Sequence, residues 1–163
     1  MFKKLTLAMS MALFASYSYA HCQDGHATQP HHAESTIQVT DTVLVENARV
    51  KATIPGIKVS SGYFSITNSG DAPLRFVAAE TSASQHTEFH RMFMRDSKMA
   101  MRKVDYIEVE PKQTFELTPG GYHLMFMGVT QQLKPDTSLV ITLIEQSGER
   151  YQFSMPIVAN EKH

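Results

Sequence analysis

One short segment of the chain carries the side chains with the clearest potential for chemistry. Residues 122–127 lie between glycines and are rich in large apolar side chains, a pattern that predicts a β-strand. Because side chains alternate between the two faces of a strand, His123, Met125 and Met127 share one face, and the other face is typical of a core. An imidazole beside two thioethers is a set of soft, neutral donors, which favours Cu(I) over Zn(II) or Mg(II). The segment therefore predicts a strand able to bind a soft metal ion.

A second group of histidine and methionine residues precedes it in the chain. If residues 86–94 form a strand, the side chains of His90, Met92 and Met94 share a face. A turn predicted at residues 95–98 brings the chain back, and directly opposite residues of an antiparallel pair lie about 5 Å apart. The first segment would complete a site if it lay beside this hairpin. The thioethers that return close to His90 are those of Met99 and Met101.

The distribution of methionine along the chain argues for more than core packing. Six of the ten methionines lie between positions 92 and 127, whereas methionines that only fill gaps in a core are expected to be scattered more evenly. A single His-x-Met motif is a weak signal, and a lone histidine on a half-buried strand is usually an ordinary polar residue. Two imidazoles and two thioethers together would make a four-coordinate site without a charged ligand, which is typical of Cu(I).

The rest of the chain predicts the scaffold for these residues. With 163 residues, 42% apolar and 19% charged, the chain has the size and composition of one globular domain. From Thr36 onward the apolar clusters are short and turn signals recur, without a helical period of 3.6 residues. This pattern predicts an all-β fold, an antiparallel β-sandwich or barrel. The predicted strands span residues 36–40, 43–52, 62–67, 74–80, 86–94, 99–104, 106–109, 114–117, 122–127, 139–145 and 151–157.

The first twenty residues have the pattern of a secretory signal peptide. Lys3 and Lys4 precede an apolar run at residues 5–15, and Ser18-Tyr19-Ala20 fits the small-x-small cleavage pattern. The run is too short to span a membrane, and no later stretch approaches the roughly 20 apolar residues that a span needs. The sequence thus predicts an exported, soluble protein whose mature chain starts at His21 and has no membrane span. The full chain has a formal net charge of -1, which is no reason to expect nucleic acid as a partner.

Residues 21–35 form a polar stretch that we interpret as a flexible tail. A solvated linker is the simpler interpretation, but histidine and cysteine at this density also bind copper, including Cu(II), or zinc without a fold. Cys22 is the only cysteine, so an internal disulfide is impossible. The predicted organisation is a signal peptide at 1–20, the tail at 21–35, a β-sandwich domain at 36–158 and a C-terminal tail at 159–163. The candidate metal ligands of the tail are His21, Cys22, His26, His31 and His32.

The spacing of the candidate ligands resembles that of a known family. His90, ten residues, Met101, twenty-one residues and then His123-x-Met125 follow the H-x10-M-x21-H-x-M pattern of the periplasmic PCuAC-type copper chaperones. The likeness extends over most of the predicted domain and includes Pro55-Gly56. It implies a cupredoxin-like β-sandwich with an exposed Cu(I) site made by these four residues. The additional thioethers near the motif, which are candidate accessory ligands, belong to Met92, Met94, Met99 and Met127.

The resemblance also implies a function and partners. PCuAC-type proteins are associated with copper delivery to the CuA centre of cytochrome c oxidase, so the expected partners are the CuA subunit or a Sco-type chaperone, and the expected compartment is the periplasm. The leading prediction is therefore a copper carrier that is not an enzyme. A copper-storing or resistance protein remains open, as does an enzyme that binds copper at His21. An electron-transfer protein of the blue-copper type is less favoured because it needs a cysteine thiolate, and Cys22 lies in the tail.

Overall fold

The computed structural model describes residues 35–160, which are built from eleven β-strands. The predicted signal peptide, the candidate ligands of the tail and the last three residues lie outside the described residues. The part of the chain that is described has no helix, and so none that could cross a membrane. The strands are β1 (Thr36–Thr40), β2 (Val43–Lys51), β3 (Val59–Asn68), β4 (Leu74–Glu80), β5 (Ser84–Arg95), β6 (Lys98–Lys103), β7 (Ile107–Val109), β8 (Gln113–Leu117), β9 (Tyr122–Val129), β10 (Ser138–Glu145) and β11 (Arg150–Val158).

The strands form one continuous hydrogen-bonded path. Its order is β6-β5-β9-β3-β2-β11-β10-β4-β7, and β1 and β8 pair with β2 and β3, respectively. The all-β, cupredoxin-like sandwich expected from the sequence is confirmed, and each predicted strand corresponds to one of those observed. One pairing departs from the antiparallel expectation, because β2 and β11 run in parallel where Val50 meets Ile157.

The inner face of the strands buries a continuous apolar core. Phe64 on β3 packs edge-on against Phe153 on β11, and Phe76 on β4 packs in the same way against Tyr151, each with ring centroids 5.3 Å apart. These aromatic pairs join strands that are distant in sequence. The strands β5, β9 and β3 turn one face to this core, so that their other face is available for a site.

The hairpin of β5 and β6 lies at one end of the strand path. Arg95 pairs with Lys98, and the two residues between them, Asp96 and Ser97, have φ angles of 50° and 60°. Positive φ at both central residues is the geometry of a two-residue type I′ turn, which matches the right-handed twist of the strands it connects. The turn predicted at residues 95–98 is therefore confirmed, and it fixes the register of every pair in the hairpin.

Candidate metal centre

The four predicted ligands lie on three neighbouring strands. His90 is on β5, Met101 on β6, and His123 and Met125 on β9, with β5 in the middle. His90 lies directly opposite His123, and their ring centroids are 6.0 Å apart. Met101 lies opposite Met92, which is two residues along β5 from His90 and shares its face. Strand register alone thus brings together residues that are far apart in sequence.

The closest approach among the ligands joins His123 to Met101. The Nε2 atom of His123 lies 3.2 Å from the Sδ atom of Met101, and its Nδ1 atom lies 3.3 Å from the carbonyl oxygen of Gly121. A carbonyl can only accept a hydrogen bond, so Nδ1 donates and Nε2 of the neutral ring keeps its lone pair. Burial lowers the pKa of His123 below its ordinary value of 6.5, against the opposing hydrogen bond to Gly121. A neutral imidazole nitrogen and a thioether sulfur therefore face each other as two donors.

His90 is oriented by a carboxylate. Its Nε2 atom donates to Oε2 of Glu88 at 3.0 Å, and Oε1 of Glu88 accepts a hydrogen bond from Nζ of Lys103 at 2.8 Å. Hydrogen bonds from Lys103 and then from His90 lower the pKa of Glu88, so this carboxyl group is ionised. A hydrogen bond from one ring nitrogen to a carboxylate fixes the tautomer that leaves the other nitrogen free to bind a metal.

The other ring nitrogen of His90 has no hydrogen-bond partner within residues 35–160. Its Nδ1 atom is buried, and among the described residues nothing donates to it or accepts from it. Leaving a buried polar atom unsatisfied costs roughly 1–3 kcal/mol, so such an atom needs an explanation. Coordination of a metal ion at Nδ1 supplies one, because the lone pair left by the Glu88 hydrogen bond is of the kind that a soft cation accepts.

The site opens on a cavity with a volume of about 330 Å³, lined by Met92, Met101, His123 and Met125 among others. Access to the ligands is uneven, since His123 is 4% exposed whereas Met101 is 46% exposed. The exposure that the resemblance implies for the site is therefore found at Met101 and not at His123, whose imidazole is covered by its neighbours. An ion would meet the thioether of Met101 before it reached the ring.

The accessory candidates occupy two different places. Met92, Met94 and Met99 share a face of the β5–β6 hairpin with Met101. Met127 lies on the opposite side of Met125 from His123, where it pairs with Val59 and His86. The candidates of the tail, including Cys22, lie outside the described residues.

Sequence reasoning missed the polar neighbours of the ligands. Glu88 carried a usable signal, because it lies two residues before His90 and so shares its face. Lys103 could have been found from the hairpin register, which places it directly opposite His90. Tyr63 had no such signal, and its ring centroid lies 6.4 Å from that of His123 only because β3 pairs with β9.

The described residues offer no comparable set of ligands for harder metal ions such as Zn(II) and Ca(II). Within residues 35–160, no group of three or more histidine, cysteine, aspartate or glutamate side chains could hold a metal ion. Structural zinc sites and calcium sites are built from such groups. The site in the described domain therefore depends on its thioethers.

A family model described as "Putative lipoprotein LpqE-like" matches residues 43–157, which span β2 to β11 and contain all four candidate ligands. The chain belongs to the LpqE-like family. A curated relative with the same kind of description, "Putative lipoprotein Lxx21020" of Leifsonia xyli subsp. xyli, is 27% identical over 129 residues, which cover 78% of this chain and 76% of the relative.

Solved structures of PCuAC domains share the fold of this LpqE-like chain. Cu(I)-bound DR1885 from Deinococcus radiodurans is 25% identical, with 77% of this chain and 83% of that chain covered and a TM-score of 0.59. The copper-bound PCuAC domain from PmoF2 is 17% identical, with 77% and 99% covered and a TM-score of 0.64. The predicted resemblance to PCuAC-type proteins is therefore confirmed for the fold of the LpqE-like domain.

Proposed function

We propose that this chain is a copper carrier that binds Cu(I) through His90, Met101, His123 and Met125. The observation that carries the proposal is the pair of imidazole nitrogens with free lone pairs. Nδ1 of His90 is buried without a hydrogen-bond partner among the described residues, and Nε2 of His123 faces the sulfur of Met101 at 3.2 Å. Two neutral nitrogens and two thioethers give Cu(I) four donors without adding negative charge to a partly buried site.

The arrangement of the ligands suits a carrier better than an enzyme or a storage protein. The imidazoles are fixed by Gly121 and Glu88, whereas Met101 is exposed at the mouth of the cavity. An incoming ligand from a partner can therefore replace the outer thioether first, while the inner nitrogens still hold the ion. Binding and release of this kind need no bond to be made or broken in a substrate.

We further propose that the carrier acts in the periplasm and delivers copper to the CuA subunit of cytochrome c oxidase or to a Sco-type chaperone. The signal-peptide pattern of residues 1–20 supports export, and the copper-bound state of the PCuAC neighbours supports copper as the cargo. The cavity is also rimmed by the exposed apolar side chains of Ile54 and Ile57. A small apolar rim of this kind suits a transient interface with the recipient.

An anaerobic Cu(I) competition titration tests the site. His90→Ala and His123→Ala are each expected to weaken Cu(I) binding strongly, and X-ray absorption of the wild-type complex is expected to show nitrogen and sulfur ligands. His86→Ala is the matched control, since His86 is exposed on the same face of β5 and is expected to leave binding unchanged. Unchanged affinity in both ligand variants would overturn the site.

A shortened chain separates the domain from the tail. One tight Cu(I) is expected in a chain that begins at residue 36, which would place the site in the β-sandwich. Additional copper bound only by the chain that begins at residue 21 would assign an accessory role to the histidines of the tail. Failure of the shorter chain to bind Cu(I) tightly would contradict the proposal.

A further inference from the structure

Four methionines form two opposite pairs on one face of the β5–β6 hairpin. Met92 lies opposite Met101, and Met94 lies opposite Met99. Directly opposite residues of an antiparallel pair point to the same side, so all four thioethers share a face with His90. We refer to these four residues as the methionine ladder. It extends from the candidate metal centre to the turn at the end of the hairpin.

The two rungs of the ladder have the closer of the two antiparallel geometries. The backbone N–H of Met92 donates to the carbonyl oxygen of Gly121, the residue just before β9, at 3.0 Å, and so it points away from β6. Met92 and Met101 are therefore a non-hydrogen-bonded pair, and alternation along the hairpin makes Met94 and Met99 another. In such pairs the Cα atoms are only about 4.5 Å apart and the side chains are closer than in the hydrogen-bonded pairs. Each pair can thus present two sulfurs to one ion.

Core packing does not explain the outer pair. Met94 is 62% exposed and Met99 is 55% exposed, and they adjoin Met101, which is also exposed. Single exposed apolar side chains are common, but a contiguous group of them is typical of a ligand-binding or interaction surface. The opposite face of the same hairpin carries other kinds of side chain, because the guanidinium group of Arg102 lies there over the ring of Phe93. The thioethers are thus segregated onto the face that leads to the imidazoles.

We propose that Met94 and Met99 form a second Cu(I)-binding position, from which the ion passes along the ladder to His123. The inference rests on the proposed carrier function and adds a route of entry to it. Two thioethers bind a soft monovalent ion more weakly than four mixed donors, so the ion is driven inward.

Passage along the ladder is ligand exchange without a redox step. A new bond from copper to the sulfur of the inner pair forms as a bond to the outer pair breaks, and the ion remains Cu(I) throughout. Met101 belongs both to the ladder and to the candidate metal centre, and its sulfur lies 3.2 Å from Nε2 of His123. The last exchange therefore requires little movement of the ion.

Methyl NMR of the full chain with isotope-labelled methionine tests the proposal, with Cu(I) added anaerobically as the probe. The first equivalent is expected to shift the methyl signals of Met101 and Met125, and a weaker second step is expected to shift those of Met94 and Met99. Met155 is fully buried in the core and supplies a signal that stays in place. In the double variant Met94→Leu/Met99→Leu, we expect the second Cu(I)-binding step at the hairpin to be lost. The first Cu(I)-binding step is expected to remain, but Cu(I) is expected to reach the inner site more slowly. Met127→Leu is the matched control, because it removes a thioether of β9 outside the ladder.

The outcomes separate this proposal from the carrier function. The second Cu(I)-binding position is overturned if the first step occurs but the signals of Met94 and Met99 do not move. It is also overturned if the double variant binds Cu(I) at the inner site as fast as the wild type. In both cases the proposed carrier function is unaffected. If the signals of Met101 and Met125 do not respond to Cu(I), the carrier function itself is overturned.

Discussion

His90 and His123 lie directly opposite each other on two adjacent antiparallel strands, with their ring centroids 6.0 Å apart. Backbone hydrogen bonds between β5 and β9 hold this relationship, so the imidazoles are positioned before any ion arrives. A slip of one residue in the register would turn one ring to the opposite face of the sheet. The relative positions of the two imidazoles are therefore fixed by the pairing of β5 with β9.

Substitutions at two neighbouring residues on β9 are expected to separate stability from copper binding. Leu124 is fully buried in the core, whereas Met125 is half-buried on the opposite face of the strand. We expect Leu124→Ala to lower the free energy of unfolding by about 2–5 kcal/mol, because it leaves a cavity in the core. Met125→Ala is expected to cost much less stability and to weaken Cu(I) binding instead. Urea denaturation of the apoproteins and Cu(I) titration measure the two effects, and equal stability losses would contradict the assignment of faces.

Glu88 is expected to support copper binding although it does not bind the ion. Replacing it by glutamine weakens the hydrogen bond that orients His90, and loss of such a partner typically costs about 10–100-fold in metal affinity. Competition titration of Glu88→Gln measures this loss. Glu108→Gln is the control, because Glu108 pairs with Arg75 on other strands. An affinity equal to that of the control would show that the carboxylate has no such role.

The apolar rim of the cavity is expected to act in transfer rather than in binding. Ile54→Ser/Ile57→Ser removes two exposed apolar side chains from the proposed docking surface and leaves the four candidate ligands in place. We expect slower Cu(I) transfer to a CuA domain, measured by stopped-flow mixing, with unchanged Cu(I) affinity. Val140→Ser, on the exposed face of β10, serves as the comparison. Transfer at the wild-type rate in the double variant would exclude the rim from the interface.

Tyr151 is expected to make the fold sensitive to high pH. Burial, reinforced by the nearby carboxylate of Glu149, raises the pKa of Tyr151 from 10.0 to about 12. Since the folded state keeps this proton longer than the unfolded state, its contribution to stability is complete below pH 10.0 and is lost as the pH rises to about 12. Denaturation across that range measures the loss, and Tyr151→Phe is expected to lose less stability over the same range. Equal pH dependence in the two proteins would contradict this prediction.

The fold could be predicted from the sequence because its strands are local features. Short apolar segments bounded by turn residues marked every strand, and Asp96-Ser97 between two methionine-rich segments marked the hairpin. The parallel pairing of β2 with β11 could not be predicted in this way, because it joins segments about a hundred residues apart and depends on the closure of the whole core.

The placement of the candidate ligands on the strands was predictable from the sequence, whereas their surroundings were less so. Alternation along β9 was enough to place His123 and Met125 on one face. The burial of His123 and the isolation of His90 Nδ1 depend on which strands become neighbours, and sequence spacing carries no information about that. The polar contact with Glu88 depends on side-chain conformations, which are set by packing.

The exposure of the hairpin thioethers also decides how the protein responds to oxidants. Peroxide converts an accessible methionine to its sulfoxide, in which the soft thioether sulfur that binds Cu(I) carries a hard oxygen atom instead of a free lone pair. Met94 and Met99 are much more accessible than Met155, which is fully buried. Oxidative damage would therefore begin at the outer hairpin and remove copper affinity from the surface inward while the core stayed intact. Because methionine sulfoxide can be reduced enzymatically, such a loss would be reversible.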